Sequence, residues 1–366
     1  MPRIVFLFTM LAFILGSNFY VFYRLYQLIP SPTLRITVTA FGIISVCSFF
    51  VSMALQGVFP PVITAFLYKL GTSWFFIMLY LLFFFLIADL LKLTPLPIER
   101  FLHNNMLTFS ILTLTLTVVF VTGYIRYLHK ERVEITINLP DEQKLDNPVK
   151  IVALSDLHLG YTINNNELKK WIDLINHENP DVVLLVGDII DNHLSPAIEQ
   201  KMDLTLKKIK SKQGVFAVVG NHEYFSGIEQ SKQFLKQCGI TLLNDSMILV
   251  DNAFYIVGRE DRSNSNRKTI QNLCQYAEPS KPIILMDHQP YHLEEAALHN
   301  IALQISGHTH GGQLFPISLI TKLMYEKSHG YLKKGNTQYF ITSGMGIWGG
   351  KFRIGTRSEY VVINMQ

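Results

Sequence analysis

Apolar and polar residues alternate along this chain in two different regimes. In the first third the apolar residues run in long blocks. Ile4 to Tyr23, Ile36 to Leu55, Ser73 to Leu91 and Met106 to Tyr124 are nearly free of charge. Each is about 20 residues long, which is what a helix rising about 1.5 Å per residue needs to cross a hydrocarbon core of about 30 Å. Four transmembrane helices are expected. Pro30 and Pro32, Pro60 and Pro61, and Pro95 and Pro97 punctuate the gaps, where a missing amide donor costs least, so the connections should be tight. Only Arg3 precedes the first block and no small-residue cleavage pattern follows it, so it is expected to stay as a span. Lys69 and Asp89, at or near span ends, are read as interfacial, their charges reaching the headgroups.

From about Val133 the pattern switches to short β-branched runs separated by amphipathic stretches. Val133 to Ile137 alternates like a half-buried strand, and Lys150 to Leu154, Val182 to Val186 and Val215 to Val219 read as buried strands. Helices are expected over Asn165 to Glu178, Pro196 to Lys210 and Arg267 to Tyr276. Further strands are expected at Gly239 to Leu243, Met247 to Val250, Phe254 to Val257, Pro282 to Met286, Ala302 to Ser306, Tyr339 to Thr342 and Glu359 to Ile363. Strands alternating with helices argue for a layered α/β core, and the short strand-to-strand steps for mixed pairing. The chain therefore divides into a transmembrane region over 1–128, a linker with the first strand over 129–148, and an α/β domain over 149–366.

Composition sharpens this division. The 366 residues are 49% hydrophobic and only 16% charged, too apolar for an ordinary soluble enzyme, and the excess lies in front. The net charge of +4 is spread out, which does not imply nucleic acid. Loop charges barely orient the spans: with the N-terminus inside, Arg3, Lys69, Arg126, Lys130 and Arg132 face Arg24, Arg35, Lys92 and Arg100. The cluster after the last span leans cytoplasmic. Cys47 within a span, Cys238 and Cys274 offer no disulfide framework and lean the same way.

The chemistry gathers at strand ends. Ile305 to Gly312 reads ISGHTHGG; two histidines at i and i+2 point the same way only on extended backbone. Asp156, His158, Asp188, Asn221, His288, His308 and His310 each follow an apolar strand, where the loops of an α/β sheet converge on ligands. Singly, each reads equally well as a turn former, a helix cap or a core histidine; together they point to one rim. Seven donors exceed one tetrahedral zinc and suit two metals sharing a carboxylate. Carboxylate, amide and imidazole without thiolate favour manganese, iron or zinc over copper.

In this order the blocks Asp156-x-His158, Gly187-Asp188, Gly220-Asn221-His222-Glu223, His288 and Gly307-His308-Thr309-His310 resemble the calcineurin-like metallophosphoesterase superfamily, over about Lys150 to Gly312. The resemblance implies a two-sheet α/β sandwich over 149–366. It also implies a two-metal centre in which Asp156, His158 and His310 hold one ion, Asn221, His288 and His308 the other, and Asp188 bridges both. His222 would lie just outside the metals and protonate the leaving oxygen. Glu223 would orient a neighbour or, the favoured reading, simply start the next helix. Two divalent ions about 3.5–4 Å apart would turn a bridging water into hydroxide at neutral pH and polarise the phosphoryl group.

No Arg follows Gly187-Asp188, which argues against the protein Ser/Thr phosphatase subgroup. The tail Thr342 to Gly346 with Gly355 to Glu359 resembles the membrane-associated bacterial branch, which includes hydrolases of UDP-2,3-diacylglucosamine. Arg353 and Arg357 are candidate phosphate contacts or solvated strand-edge residues. Leu314 to Tyr325 is either a short core helix or a segment dipping into the membrane interface, with Lys322 and Lys327 facing headgroups. The expected function is a membrane-anchored, two-metal phosphoesterase acting on a lipid-linked phosphoester or pyrophosphate. A phosphodiesterase for soluble nucleotides and a non-catalytic scaffold on the same fold stay open.

Overall fold

The computed structural model describes residues 2–55 and 58–366, the side chains of 2–4, 6 and 7 excepted; the Arg3 side chain counted above lies outside them. The chain divides into two compact units, Met1–Thr122 and Gly123–Gln366.

The first unit is built from α1 (Pro2–Leu28), α2 (Pro32–Ala54), α3 (Pro61–Leu91), the single turn α4 (Glu99–Leu102) and most of α5 (Met106–Leu128). Parts of α1 and all of α2, α3 and α5 are long and apolar enough to cross a membrane. Pro32 and Pro61 sit in first turns, where no amide donor is needed, and the Ser31 hydroxyl caps α2. The third helix therefore begins twelve residues before the expected Ser73, and Lys69 falls inside it, not at its end. Asp89, near the end of α3, is paired. Arg24 Nη2 lies 2.6 Å away and Lys92 Nζ 3.2 Å away, with the Tyr20 hydroxyl donating as well. Arg24, counted above as a loop charge, is buried in that pair.

The second unit follows at once. In chain order it contains β1 (Lys130–Ile137), β2 (Val149–Leu154), α6 (Asn165–His177), β3 (Val182–Val186), α7 (Ser195–Glu199), α8 (Met202–Leu206), β4 (Gly214–Val218), α9 (Asn221–Phe225), α10 (Ile228–Gln237), β5 (Thr241–Leu242), β6 (Ser246–Val250), β7 (Phe254–Gly258), α11 (Ile270–Cys274), β8 (Ile283–Met286), α12 (Leu293–Ala297), β9 (Ile301–Ser306), α13 (Ile317–Met324), β10 (Gly330–Lys334), β11 (Thr337–Ile341) and β12 (Ser358–Met365). Two six-stranded sheets result, ordered β1-β12-β2-β3-β4-β5 and β10-β11-β9-β8-β7-β6. The expected single helix over Pro196 to Lys210 is broken into α7 and α8 by Lys201, whose φ of 53° no helix interior admits.

Strand alternation distributes the core. Ile151 and Ala153 of β2 join Leu184, Ile284, Met286, Leu303 and Ile305 in a cluster shared by both sheets. Val152 and Leu154 point the other way, into a cluster with Leu168, Trp171, Ile172 and Ile175 of α6. Those four recur at helical spacing, and Asn164 caps the helix by accepting the Asn166 and Glu167 N–H groups. Fully burying a side chain of this size contributes about 1.5–3 kcal/mol, so a one-residue slip of β2 would forfeit several at once.

Register also positions the site. β1 runs parallel to β12 with Lys130 opposite Ser358, and β12 runs antiparallel to β2 with Val361 opposite Ala153. The junction of α5 and β1 thus lies on the same edge of the sheet as the ends of β2, β3 and β4.

Candidate metal centre

Each sequence-derived donor stands just beyond a strand: Asp156 and His158 after β2, Asp188 after β3, Asn221 after β4, His288 after β8, and His308 and His310 after β9. Both sheets contribute, and the tips converge in two groups. His158 Nε2 lies 3.1 Å from His310 Nε2, which is 3.3 Å from Asp156 Oδ1. His288 Nε2 lies 3.1 Å from Asp188 Oδ2, and ligand atoms of Asp188, His288 and His308 all fall within 4.8 Å of one another. Between the groups, Asp188 Oδ2 is also 3.9 Å from His158 Nε2.

Such crowding needs unusual backbone. Asp156, His158, Asp188, His308 and His310 all have positive φ, from 47° to 69°, a region disfavoured for side chains with a Cβ and typical of strained functional loops. Glycine makes room beside them. A Cβ on Gly307 would meet Asp156 Oδ2 at 2.4 Å, and one on Gly220 would meet Asp188 Oδ1 at 2.2 Å, so the glycines of these motifs serve close approach.

A surrounding layer fixes the donors. His288 Nδ1 donates to the Val186 carbonyl at 2.7 Å, leaving Nε2 free to bind a cation. Asp156 accepts the His308 N–H, and Asp188 Oδ1 accepts the His222 N–H. Glu223, for which helix initiation alone was favoured, does more. It is buried and accepts N–H groups from Asp188, Ile190 and Gly220.

Asp191 was missed by sequence reasoning. Its Oδ1 lies 3.3 Å from His158 Nδ1 and 3.4 Å from His222 Nδ1, joining a donor to the residue expected to handle protons. The available signal was a second carboxylate three positions after Asp188 in the same loop.

Arg353 corrects an expectation. Neither solvated nor facing a phosphate, it is fully buried and donates to the carbonyls of His310, Ser343, Gly344 and Gly346 at 2.6–3.1 Å. Arg357 is half-buried and paired with Glu131 and Glu359. The segment after His310 is also resolved: α13 forms, but Leu319, Ile320, Leu323 and Met324 are exposed, so it is no core helix.

Protonation divides the donors: burial opposes it at His288, but the Asp188 charge outweighs burial and raises that imidazole well above its ordinary value, while His308 and His310 are held down. Burial pushes the Asp156 carboxyl up, whereas at Asp188 the neighbouring His288, His222 and His158 overcome burial and hold the carboxyl well below its usual range. Burial together with His288 lowers His308 to about 4, and burial with His158 and Arg353 keeps His310 well below its ordinary value. Both imidazoles are neutral near pH 7, as metal ligands must be. Burial opposes protonation of His222, but the Asp191 hydrogen bond and the Asp188 charge outweigh it and raise its pKa to about 9. Among the seven donors, two buried atoms remain without a hydrogen-bond partner, Asn221 Oδ1 and His288 Nε2. An orphaned amide oxygen beside carboxylates and neutral imidazoles is a hard-to-borderline donor set, and it fits a divalent cation.

Residues 149–312 match the family model described as calcineurin-like phosphoesterase. A metallophosphoesterase of Helicobacter pylori strain J99 is 34% identical over 228 residues, covering 61% of this chain and 61% of its own length. A transmembrane protein with metallophosphoesterase domain from Danio rerio is 30% identical over 269 residues, covering 68% of this chain and 61% of its own. The chain thus spans about three fifths of the curated relatives it matches. Among solved structures, a dimetal phosphatase from Danio rerio aligns at 14% identity and a TM-score of 0.37, over 57% of this chain and 89% of that one.

Proposed function

Since residues 149–312 match the family model of calcineurin-like phosphoesterases, we propose that this chain is a membrane-anchored, two-metal phosphoesterase hydrolysing a lipid-linked phosphoester or pyrophosphate. The observation that carries the reading is Asp188: one carboxylate oxygen lies 3.1 Å from His288 Nε2 and 3.9 Å from His158 Nε2, within reach of both donor groups. Asp156, His158 and His310 would hold one ion and Asn221, His288 and His308 the other, with Asp188 shared. Manganese, iron or zinc, when bound, supplies Lewis-acid polarisation of the phosphoryl oxygens and acidifies water.

The chain's own residues do the rest. His222 is tethered by Asp191 and its ring, 15% exposed, stands edge-on to His158 at 4.4 Å between centroids, so it lies beside the donors with a proton at neutral pH to give a departing oxygen. Glu223 and Arg353 hold the loops so that nothing need reorganise during reaction.

A lipid-linked substrate is supported by the rim's address. The edge that carries the donors is the edge at which α5 passes into β1, and α13, which follows the His310 loop, leaves its apolar side bare. For sidedness we favour the cytoplasm, on Arg126 and the free cysteines. Lys130 and Arg132 add little, since Lys130 stacks on Tyr127 and Trp171 while Arg132 pairs with Glu134 and Glu178.

Purified full-length protein with its metals counted, assayed on lipid-linked pyrophosphates and on soluble nucleotide diesters in parallel, tests the proposal. Two ions per chain and turnover of the lipid-linked substrate are expected. Turnover confined to soluble diesters would remove the lipid assignment, and a folded chain refusing a second ion under saturating manganese would remove the mechanism. A reporter fused after Gln366 reads the side.

A further inference from the structure

Next to the loop that follows His310 lies a cavity of about 240 Å³ that the proposed reaction does not use. Arg126, Lys322, His329 and Arg357 line it together with Gly311 and Ser343, and no carboxylate does so among the described residues. Arg126 and Lys322 are exposed and have no acidic partner among the described residues. Arg357 spends Nε on Glu359 and Nη1 on Glu131, which leaves Nη2 for a further acceptor. At about 30 Å³ per water, the space exceeds that of a single small ion and accommodates a phosphate with substituents.

Its walls locate it. Arg126 occupies the last turn of α5, a helix long and apolar enough to cross a membrane. Lys322 projects from α13, on which Leu323 is 88% and Met324 62% exposed. One wall therefore ends a span and the other carries an uncovered apolar surface, an arrangement that brings the cations to headgroup depth. The back wall is shared with the metal centre: Gly311 follows His310, and Ser343 precedes Gly344, whose hydrogen side packs against Asp156.

We propose that this cavity binds the phosphate of an anionic lipid headgroup, at a site separate from the metal centre. Arg126 and Lys322 supply the free charges and Arg357 the fixed guanidinium. The inference rests on reading α5 as a membrane span, and it is independent of whether the donor rim hydrolyses phosphoesters.

The full chain in neutral detergent is offered equal amounts of phosphatidylglycerol and phosphatidylcholine, and retained lipid is counted by native mass spectrometry, with manganese content measured on the same samples. Wild type is expected to retain phosphatidylglycerol preferentially. Arg126→Gln/Lys322→Gln should lose that preference by about tenfold or more, having lost two headgroup contacts, at unchanged manganese content. The charge-preserving Arg126→Lys/Lys322→Arg should keep it. Displacement of phosphatidylglycerol by millimolar inorganic phosphate, absent in the Gln variant, supports the phosphate group as the feature recognised. Equal retention of both lipids by wild type, or a preference untouched in the Gln variant, overturns the site. Variant-sensitive uptake of inorganic phosphate without phosphatidylglycerol overturns the lipid as its source. Because metal and lipid are read separately, failure of the two-metal reading shows as lost manganese with lipid retention intact.

Discussion

Glu223 Oε2 accepts the backbone N–H of Asp188 at 3.1 Å, so a residue in the first turn of α9 also holds the loop that presents Asp188. Two further N–H groups, from Ile190 and Gly220, point at the same side chain. Glu223→Gln keeps the shape but turns an NH2 towards one of three donors, leaving a buried N–H unpaired at a cost of about 1–3 kcal/mol. Its melting temperature should fall by roughly 2–4 °C per kcal/mol lost, the scale for a unit of this size. A variant melting with wild type would show that these contacts are incidental.

On the proposed reading, Asp188 binds metal and His222 transfers a proton, and the two roles can be separated. Asp188→Asn should strip both ions, because the shared donor loses its charge, whereas His222→Asn should keep the ions and lower kcat by about 10²–10⁴. Elemental analysis beside turnover distinguishes the two; equal metal loss in both variants would refute the division of roles.

Asp191 anchors His158 and His222 through their Nδ1 atoms. Asp191→Asn should weaken manganese affinity by about 10–100-fold, the usual effect of losing a carboxylate behind a ligating histidine. Asp191→Glu, which restores the charge on a longer arm, should recover part of it. Titration with manganese under calorimetry measures both, and unchanged affinity in the Asn variant would exclude Asp191 as an anchor.

Glu359 makes stability depend on acid. Burial would raise its carboxyl, but His329, the Ser343 N–H and Arg357 hold it down to about 2, from an ordinary 4.5. The folded state therefore favours the ionised form, contributing about 3 kcal/mol. That contribution is complete above pH 4.5 and disappears as pH falls towards 2. The stability gap between wild type and Glu359→Gln should close as pH falls from 4.5 towards 2. A gap constant down to pH 3 would contradict the assignment.

Much of this was legible locally. The apolar blocks predicted four spans because a helix in lipid must satisfy its own backbone and cover it with apolar side chains. The buried runs predicted β2, β3, β4, β8 and β9, and the polar residue after each marked a tip. Boundaries were less legible: Pro61 could start α3 as readily as interrupt it, and Lys201 gave no warning of its left-handed turn. The short strand β10 was missed, since Gly330–Lys334 alternates only weakly and is held by pairing with β11.

By itself, the order of residues determined which side chains could bind a cation, on which strands they would stand, and that the first third holds helices long and apolar enough to cross a membrane. All of these follow from properties of short segments: periodicity, length and residue chemistry. Only the tertiary structure decided that Asp188 reaches both donor groups, that Asp191 and Glu223 stand behind them, that Arg353 is buried among carbonyls, and that the end of α5 shares an edge of the sheet with the end of β2. These depend on pairings between positions as distant as Lys130 and Ser358. Such a register is set by how two sheets bury their faces together, a property of the whole core that no single segment contains.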